Sequence, residues 1–295
     1  MEYPLEIRDV EPETNEAMMK LFTGERGGFV RVGPKGYVLT QGFRDMAAEI
    51  YNLEVRPSDV STMIFHPKLV AELEERLKDD EVKLKQLGAF SQSIVRKVAA
   101  APSPRFIKTH LPLSLLSPKV LDAKVVYVAR DPRDAAVSFY YLCRSVRTMG
   151  FDGDFKTFWH YFINDLHYWT PFFEHLKEAW EKRHDPNLLF LFYEDLKKDL
   201  SHEVRKVCKF LGKEYTVDQI AVLCDHLDIK NFKYNASVNN DIMKELGMMY
   251  PKEEFVRKGK SGGWRDYFDE EMIAQADKWM EDNLRDTDLR FPHLQ

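Results

Sequence analysis

Val125 to Tyr141 reads Val-Val-Tyr-Val-Ala-Arg-Asp-Pro-Arg-Asp-Ala-Ala-Val-Ser-Phe-Tyr-Tyr. Its first four residues are β-branched or aromatic and apolar at every position, which suits a strand buried on both faces of a parallel sheet. The run stops at Arg130. Asp131 and Pro132 form a breaker pair that opens a helix at its first turn, and Arg133 to Tyr141 is compatible with that helix. A strand end, a guanidinium and a helix start therefore coincide. In an open α/β sheet ligands bind at the carboxyl ends of strands, and helix N-termini offer free N–H groups and a positive dipole to anions. Arg130 adds a bidentate fork, and Ser138, two helical turns on, carries a hydroxyl that can reach the same anion. The functional reading is a phosphate site. The alternative is that Arg130 pairs with a local carboxylate such as Asp131 or Asp134.

The chain around this stretch has 295 residues, enough for one large α/β domain with a substantial core or for two small ones, and its 44% hydrophobic and 31% charged content is ordinary globular composition. A net charge of -5 argues against general nucleic-acid binding while leaving room for local basic pockets. The three cysteines, Cys143, Cys208 and Cys224, lack metal-ligand spacing and read as reduced thiols. The start of the chain has neither a basic n-region nor an apolar h-region, and no apolar run approaches a membrane span. These features predict a cytoplasmic protein without membrane or metal.

Toward the N-terminus, Gly24-Glu25-Arg26-Gly27-Gly28 and Gly33-Pro34-Lys35-Gly36 invite a phosphate-loop reading. No buried strand precedes them and no Gly-Lys-Ser/Thr follows, so surface turns around short β pieces at Phe29 to Val32 and Tyr37 to Leu39 are preferred. Phe43 to Tyr51 is predicted as a short amphipathic helix, and the heavily charged Pro67 to Gln86 as a solvated helix with i,i+4 pairs. Ala99 to Pro104 is a compact linker. Arg105 to His110 is predicted as a strand ending in Leu111-Pro112. At that strand end His110, near Lys108, is placed to take a proton as general base, although a lone histidine is more often a packed or surface residue.

Beyond the central stretch, the aromatics between Phe151 and Trp180 have helical spacing and suit core packing, with part of the stripe available to line an apolar pocket. Asn187 to Tyr193 is a second fully apolar strand with Tyr193 at its end, and Lys197 to Gly212 is predicted as a helix. In Arg257-Lys258-Gly259-Lys260-Ser261-Gly262-Gly263-Trp264, cations and glycines together let backbone N–H groups approach an anion closely. The bland alternative is a flexible basic surface loop.

Lys-Thr-His-Leu-Pro at Lys108 to Pro112, Arg130 with Ser138, Tyr-Glu-Asp-Leu at Tyr193 to Leu196, and Arg-Lys-Gly with Gly-Gly-Trp at Arg257 to Trp264 stand in this order. Together they resemble the cytosolic sulfotransferase family, from about Phe22 to the C-terminus, and the N-terminal segment up to residue 42 is similar to that of invertebrate members. The resemblance implies one α/β domain over residues 1–295, a parallel sheet flanked by helices on both faces. It implies 3'-phosphoadenosine-5'-phosphosulfate as co-substrate, no metal, and a small phenol or alcohol as acceptor. It assigns His110 as base and Lys108 as the group that stabilises charge on the sulfonate. Arg130, Ser138, Arg257, Lys258 and Gly259 would hold the 3'-phosphate, Tyr193 the adenine, and Leu227 and Ile229 the adenine side, where relatives carry Thr and Phe.

The chain departs from the family after Val60. There relatives carry a buried strand, a loop reading Thr-Tyr-Pro-Lys-Ser-Gly-Thr-Thr-Trp that cradles the 5'-phosphosulfate, and a helix. Here Val60 passes directly to Ser61-Thr62-Met63-Ile64-Phe65-His66-Pro67. An α/β repeat of roughly 30 residues is missing. Lys35 and Lys108 are the candidate substitutes for its lysine, and Ser61 to Phe65 and Tyr37 to Leu39 for its strand. Two classes of function follow: a sulfotransferase, or a catalytically impaired nucleotide- or ligand-binding relative, including a truncated or spliced form. The family's dimer signature is also degraded at Arg265 to Ala274, which weakens the expectation of a homodimer.

Overall fold

The computed structural model describes residues 4–51, 67–91, 100, 102, 104, 106–250 and 256–292. Near the N-terminus, β1 (Ile7–Asp9), β2 (Phe29–Val32) and β3 (Tyr37–Thr40) form an antiparallel sheet in the order β1-β2-β3, with α1 (Pro12–Leu21) between the first two strands. The turn from β2 to β3 uses Gly33 and Gly36 at φ +70° and +67°, a region that a side chain would strain. The hairpin buries Val30, Val32, Tyr37 and Leu39 against Phe43, Ala47 and Ile50 of α2 (Phe43–Tyr51) and against Leu111 and Leu115. The two β pieces and the amphipathic helix are therefore formed as expected.

The charged segment from Pro67 is two helices, α3 (Pro67–Arg76) and α4 (Glu81–Ser91), rather than one. Asp80 accepts from the Lys83 N–H at 3.0 Å, and that side-chain cap starts a new helix. Lys197 to Gly212 divides in the same way. The segment α8 (Tyr193–Lys198) ends at Asp199, whose carboxylate accepts from the His202 N–H at 2.9 Å and caps α9 (Leu200–Phe210). The remaining helices are α5 (Pro132–Ser145), α6 (Phe155–Ile163), α7 (Phe172–Glu181), α10 (Val217–Leu227), α11 (Ile229–Phe232), α12 (Asp241–Glu245) and α13 (Glu270–Leu284). Phe158, Trp159, Phe162 and Phe173 are buried, so the aromatic stripe is mainly core.

The α/β centre is the parallel pair β4 (Val125–Ala129) and β5 (Leu188–Phe192), in register from Val125 opposite Leu188 to Ala129 opposite Phe192. Among the described residues no third strand joins it. The expectation that β4 is buried on both faces is corrected here. Side chains alternate along a strand, and Val125 and Tyr127 pack with Leu188 and Phe190 beneath Leu113 and Ala179. On the opposite face Val126 and Val128 stay 39% and 49% exposed, since they line a cavity.

Phe106 to His110 forms no ladder, contrary to the expected strand, and Arg105 lies outside the described residues. A strand exists by pairing, and β5 is the described partner of β4. Tyr37 to Leu39 does not replace a missing core strand, since it belongs to the antiparallel sheet. Ser61 to Phe65 and the Val60 junction lie outside the described residues. Among the described residues no helix is long and apolar enough to cross a membrane.

Candidate functional site

The turn from β4 into α5 is fixed by carboxylates that serve groups other than Arg130. Asp131 caps α5 by accepting from the Arg133 N–H at 2.9 Å and also takes the Arg133 guanidinium, with Nη2 2.7 Å from Oδ2. Buried Glu194, next to the end of β5, accepts from the Asp131 N–H at 2.9 Å and so ties the two strand ends together. Its pKa is raised, chiefly by burial and less by Asp131, while the Asp131 N–H works in the opposite direction. Asp134, buried one turn into α5, accepts from the N–H of Gly262 at 2.5 Å, the N–H of Trp264 at 2.9 Å and the Ser261 hydroxyl at 3.4 Å.

Arg130 is left to a different use. Its guanidinium lies over the Tyr193 ring, and Nη2 donates to the Lys260 carbonyl at 3.1 Å. Its Nε is buried with no hydrogen-bond partner, and among the described residues the guanidinium has no carboxylate. The local ion pair weighed from the sequence is therefore not formed. A buried, unpartnered guanidinium N–H is the feature expected of a site that receives an anion.

The basic loop arrives beside it because Asp134 holds residues 261–264. Arg257 packs over Tyr141, 3.2 Å from the ring centroid, and donates from Nη2 to the Tyr267 hydroxyl at 3.0 Å. Lys258 extends outward, with Nζ 3.7 Å from Asp266. Gly259 takes φ +58°, and a Cβ there would stand 2.8 Å from Cγ1 of Ile229. Only glycine lets Ile229 seat this closely on the loop, which joins the adenine-side segment to the anion side.

His110 lies in the exit from Phe106–His110. Its ring stacks on Trp169 at 4.5 Å and 12°, and Trp169 stacks in turn on Phe139 at 5.1 Å and 17°. Burial, then the charge of Lys108, then His175, push the His110 pKa down to about 4. The imidazole is neutral at physiological pH and free to accept a proton. Lys108 is exposed and, among the described residues, has no ion-pair partner.

One cavity of about 1360 Å³ is lined by Lys108 and His110, by Arg130, Ser138 and Tyr193, and by Leu227, Ile229, Arg257, Lys258 and Gly259. All ten residues singled out from the sequence share it. Lys35 does not line it; that lysine pairs with Glu174 on the outside of the hairpin, so it is no substitute for the loop lysine. Sequence reasoning missed the positioning groups. In the sequence Asp134 stands only as a local partner for Arg130, and Trp169 and Glu194 belong to an aromatic run and a strand-end motif. Among the described residues no cluster of His, Cys, Asp or Glu could hold a metal.

Comparison with known proteins adds the following. The family described as "Sulfotransferase domain" matches residues 53–288. Mouse (Mus musculus) sulfotransferase 1 family member D1 is 35% identical over 195 residues, 64% of this chain and 65% of that protein. Human (Homo sapiens) sulfotransferase 1C2 is 32% identical over 199 residues, 67% of each. The chain thus spans about two thirds of the length of the curated relatives it matches. Among solved structures, a retinol dehydratase in complex with androsterone and the inactive cofactor PAP superposes with TM-score 0.88 at 38% identity, covering 100% of both chains. A mouse sulfotransferase SULT7A1 complexed with PAP gives TM-score 0.64 at 22% identity over 86% of this chain and 93% of its own, a likeness of fold alone.

Proposed function

The chain belongs to the sulfotransferase family, and from that premise we propose that it is a single-domain cytosolic protein that binds 3'-phosphoadenosine-5'-phosphosulfate and transfers the sulfonate to a small, mostly apolar acceptor. The observation that supports this reading is the shared cavity: the cation-rich half around Arg130 and Arg257 and the neutral His110 open into one space. Arg130, Ser138, Arg257, Lys258 and the Gly259 backbone hold the 3'-phosphate, while Tyr193, Leu227 and Ile229 flank the adenine. The acceptor, a phenol, another alcohol or an amine, lies against the Trp169 side of the cavity.

The transfer is in line. His110 takes the acceptor's proton, the acceptor oxygen or nitrogen forms a bond to sulfur, and the bond from sulfur to the 5'-phosphate oxygen breaks with its electron pair leaving on the phosphate. Lys108 stabilises the sulfonate oxygens as charge builds. The negative charge of the bound nucleotide favours imidazolium and so offsets part of the depression of the His110 pKa.

A second reading is favoured by one sequence observation, the direct passage from Val60 to Ser61 where relatives carry the phosphosulfate loop. On that reading the chain binds the nucleotide or an apolar ligand without fast turnover. Arg265 to Ala274 lacks the family's dimer signature, so we read the chain as independent of that mode of dimerisation. Calorimetric titration with 3'-phosphoadenosine-5'-phosphate, run beside a sulfonate-transfer assay on a panel of phenols and alcohols, tests both. Binding with turnover supports the enzyme, binding without turnover supports the second reading, and no binding overturns the enzyme and the nucleotide-binding form of the second reading.

A further inference from the structure

His110 sits on a segment with little backbone support. Among the described residues, the backbone of Phe106 to Leu111 takes part in two hydrogen bonds. The Leu111 N–H donates to the Thr109 hydroxyl oxygen at 3.0 Å, and the His110 carbonyl faces Nε2 of His175 at 3.1 Å. The first is local to the segment. The second is the hydrogen bond that ties it to a helix, since His175 stands on α7.

The tautomer of His175 follows from its partners. A backbone carbonyl only accepts, so Nε2 must carry hydrogen and donate. In a neutral imidazole Nδ1 is then a bare acceptor, and the Tyr127 hydroxyl lies 2.8 Å from it, placed to donate, with the His175 carbonyl as a longer second acceptor at 3.3 Å. Burial raises the Tyr127 pKa, with Glu178 adding to it, so the hydroxyl keeps its proton. Burial also lowers the pKa of His175. Tyr127 is further fixed by stacking on Phe190 across the parallel pair, 5.1 Å between centroids at 19°.

We propose that His175 is the positioning residue for His110: Tyr127 holds it as the Nε2–H tautomer, and it in turn clamps the His110 backbone so that the imidazole stays stacked on Trp169 and aimed into the cavity. The role rests on reading His110 as the base of the proposed transfer, but the clamp is measurable without turnover. Tyr127 lies on β4 and Arg130 directly follows its last residue, Ala129, so one strand leads to both the anion site and the base.

The test is histidine-ring NMR on the full chain. In the wild type, the His110 ring protons are expected well upfield from the Trp169 ring current, and the His175 nitrogens should show protonated Nε2 and bare Nδ1. His175→Leu should collapse the His110 upfield shift toward that of free histidine. His175→Gln, whose amide can still donate to the carbonyl, should restore most of it. Tyr127→Phe keeps the ring packing but removes the donor to Nδ1, so the His175 Nδ1 resonance should move toward that of an imidazole nitrogen without a hydrogen bond, while the His110 carbonyl still accepts from Nε2. It serves as the deciding variant if His175→Leu does not fold. Where the wild type transfers sulfonate, His175→Leu should lower kcat about 10- to 100-fold with little change in nucleotide affinity, the scale expected when a reacting group is misplaced by about 1 Å. An unchanged His110 shift in His175→Leu, or an unchanged His175 Nδ1 resonance in Tyr127→Phe, overturns the clamp. A wild type that shows both signatures but no transfer leaves the clamp standing and counts against the proposed reaction instead.

Discussion

The guanidinium carbon of Arg130 lies 4.5 Å from the centroid of the Tyr193 ring, so the end of β4 and the start of α8 hold one cation between them. The stacking orients the plane of the guanidinium, and Lys260 accepts from one end of it while Nε remains unpartnered. A planar fork in fixed orientation suits a phosphate in a way that a lysine ammonium does not. Arg130→Lys is expected to weaken 3'-phosphoadenosine-5'-phosphate binding about 30- to 100-fold, or about 2–3 kcal/mol for the charge-assisted bonds lost. Calorimetric titration measures it, and a loss of less than about threefold would remove Arg130 from the phosphate site.

Asp134 ties helix α5 to the basic loop through the N–H groups of Gly262 and Trp264. Asp134→Ala leaves these donors without their acceptor, at a cost of about 1–3 kcal/mol in unfolding free energy. It should also weaken nucleotide binding about tenfold, because Arg257 and Lys258 lose their fixed approach to Arg130. Denaturant unfolding and titration read the two effects separately. Lost stability with intact nucleotide affinity would mean that the loop is positioned by something else.

His110 is assigned to the proton and not to the phosphate. His110→Ala should therefore abolish transfer while leaving the affinity for 3'-phosphoadenosine-5'-phosphate within about twofold, since the proton acceptor is no ligand of the phosphate. An equal loss of binding would make His110 a structural residue packed on Trp169.

The parts of this molecule that were legible in the sequence are those governed by local rules. The breaker pair Asp131-Pro132 marks the start of α5, and the apolar runs around Val126 and Leu189 mark β4 and β5, because period and punctuation depend on near neighbours. The helix restarts at Asp80 and Asp199 were missed, although an aspartate cap is itself a local signal. Phe106 to His110 has the composition of a strand and lacks a ladder, because strand formation depends on a partner that composition does not report. The candidate site residues, which line one cavity, stand in the sequence as motifs in a fixed order. Asp134 and His175 do not stand out in this way, since their roles consist of hydrogen bonds to groups 128 and 65 residues away in sequence.

Three histidines, His110, His167 and His175, make the fold sensitive to acid. His110 is lowered to about 4 and His167 to about 3 from 6.5, in both cases mainly by burial. His167 lies wholly inside an aromatic cage that includes Phe22, Phe139 and Phe158, and its Nδ1 has no partner. A depressed folded pKa means that below about 6.5 the unfolded chain binds protons the folded chain refuses. Stability is thus fully present above about 6.5 and falls as pH drops through 4, by an amount of order 3 kcal/mol from His110 alone. His167→Leu should keep stability near neutral pH and flatten the acid limb. Urea unfolding at a series of pH values between 7 and 4 checks this, and parallel decline of variant and wild type would rule out His167 as a source.

The exposed face of β4 bears on the missing repeat. Val126 and Val128 are 39% and 49% exposed, and the sequence carries no Thr-Tyr-Pro-Lys-Ser-Gly-Thr-Thr-Trp stretch. Inserting a strand, that loop and a helix after Val60 should act on both deficits. Covering half-exposed valines contributes about 1–2 kcal/mol from these two side chains, from roughly 1.5–3 kcal/mol for a fully buried aliphatic side chain. The loop would also bring a lysine, hydroxyls and backbone N–H groups to the reacting end of the phosphosulfate. One such preorganised donor is commonly worth about 3 kcal/mol, or a hundredfold in rate, and several arriving together should raise transfer by several orders of magnitude. Thermal unfolding and a phenol sulfonation assay, run on the 295-residue chain and on the insertion variant side by side, measure the two gains. Robust turnover by the chain without the insertion, at established purity, would defeat the prediction, because it would require a phosphosulfate cradle built from other residues of the cavity that holds Arg130 and His110.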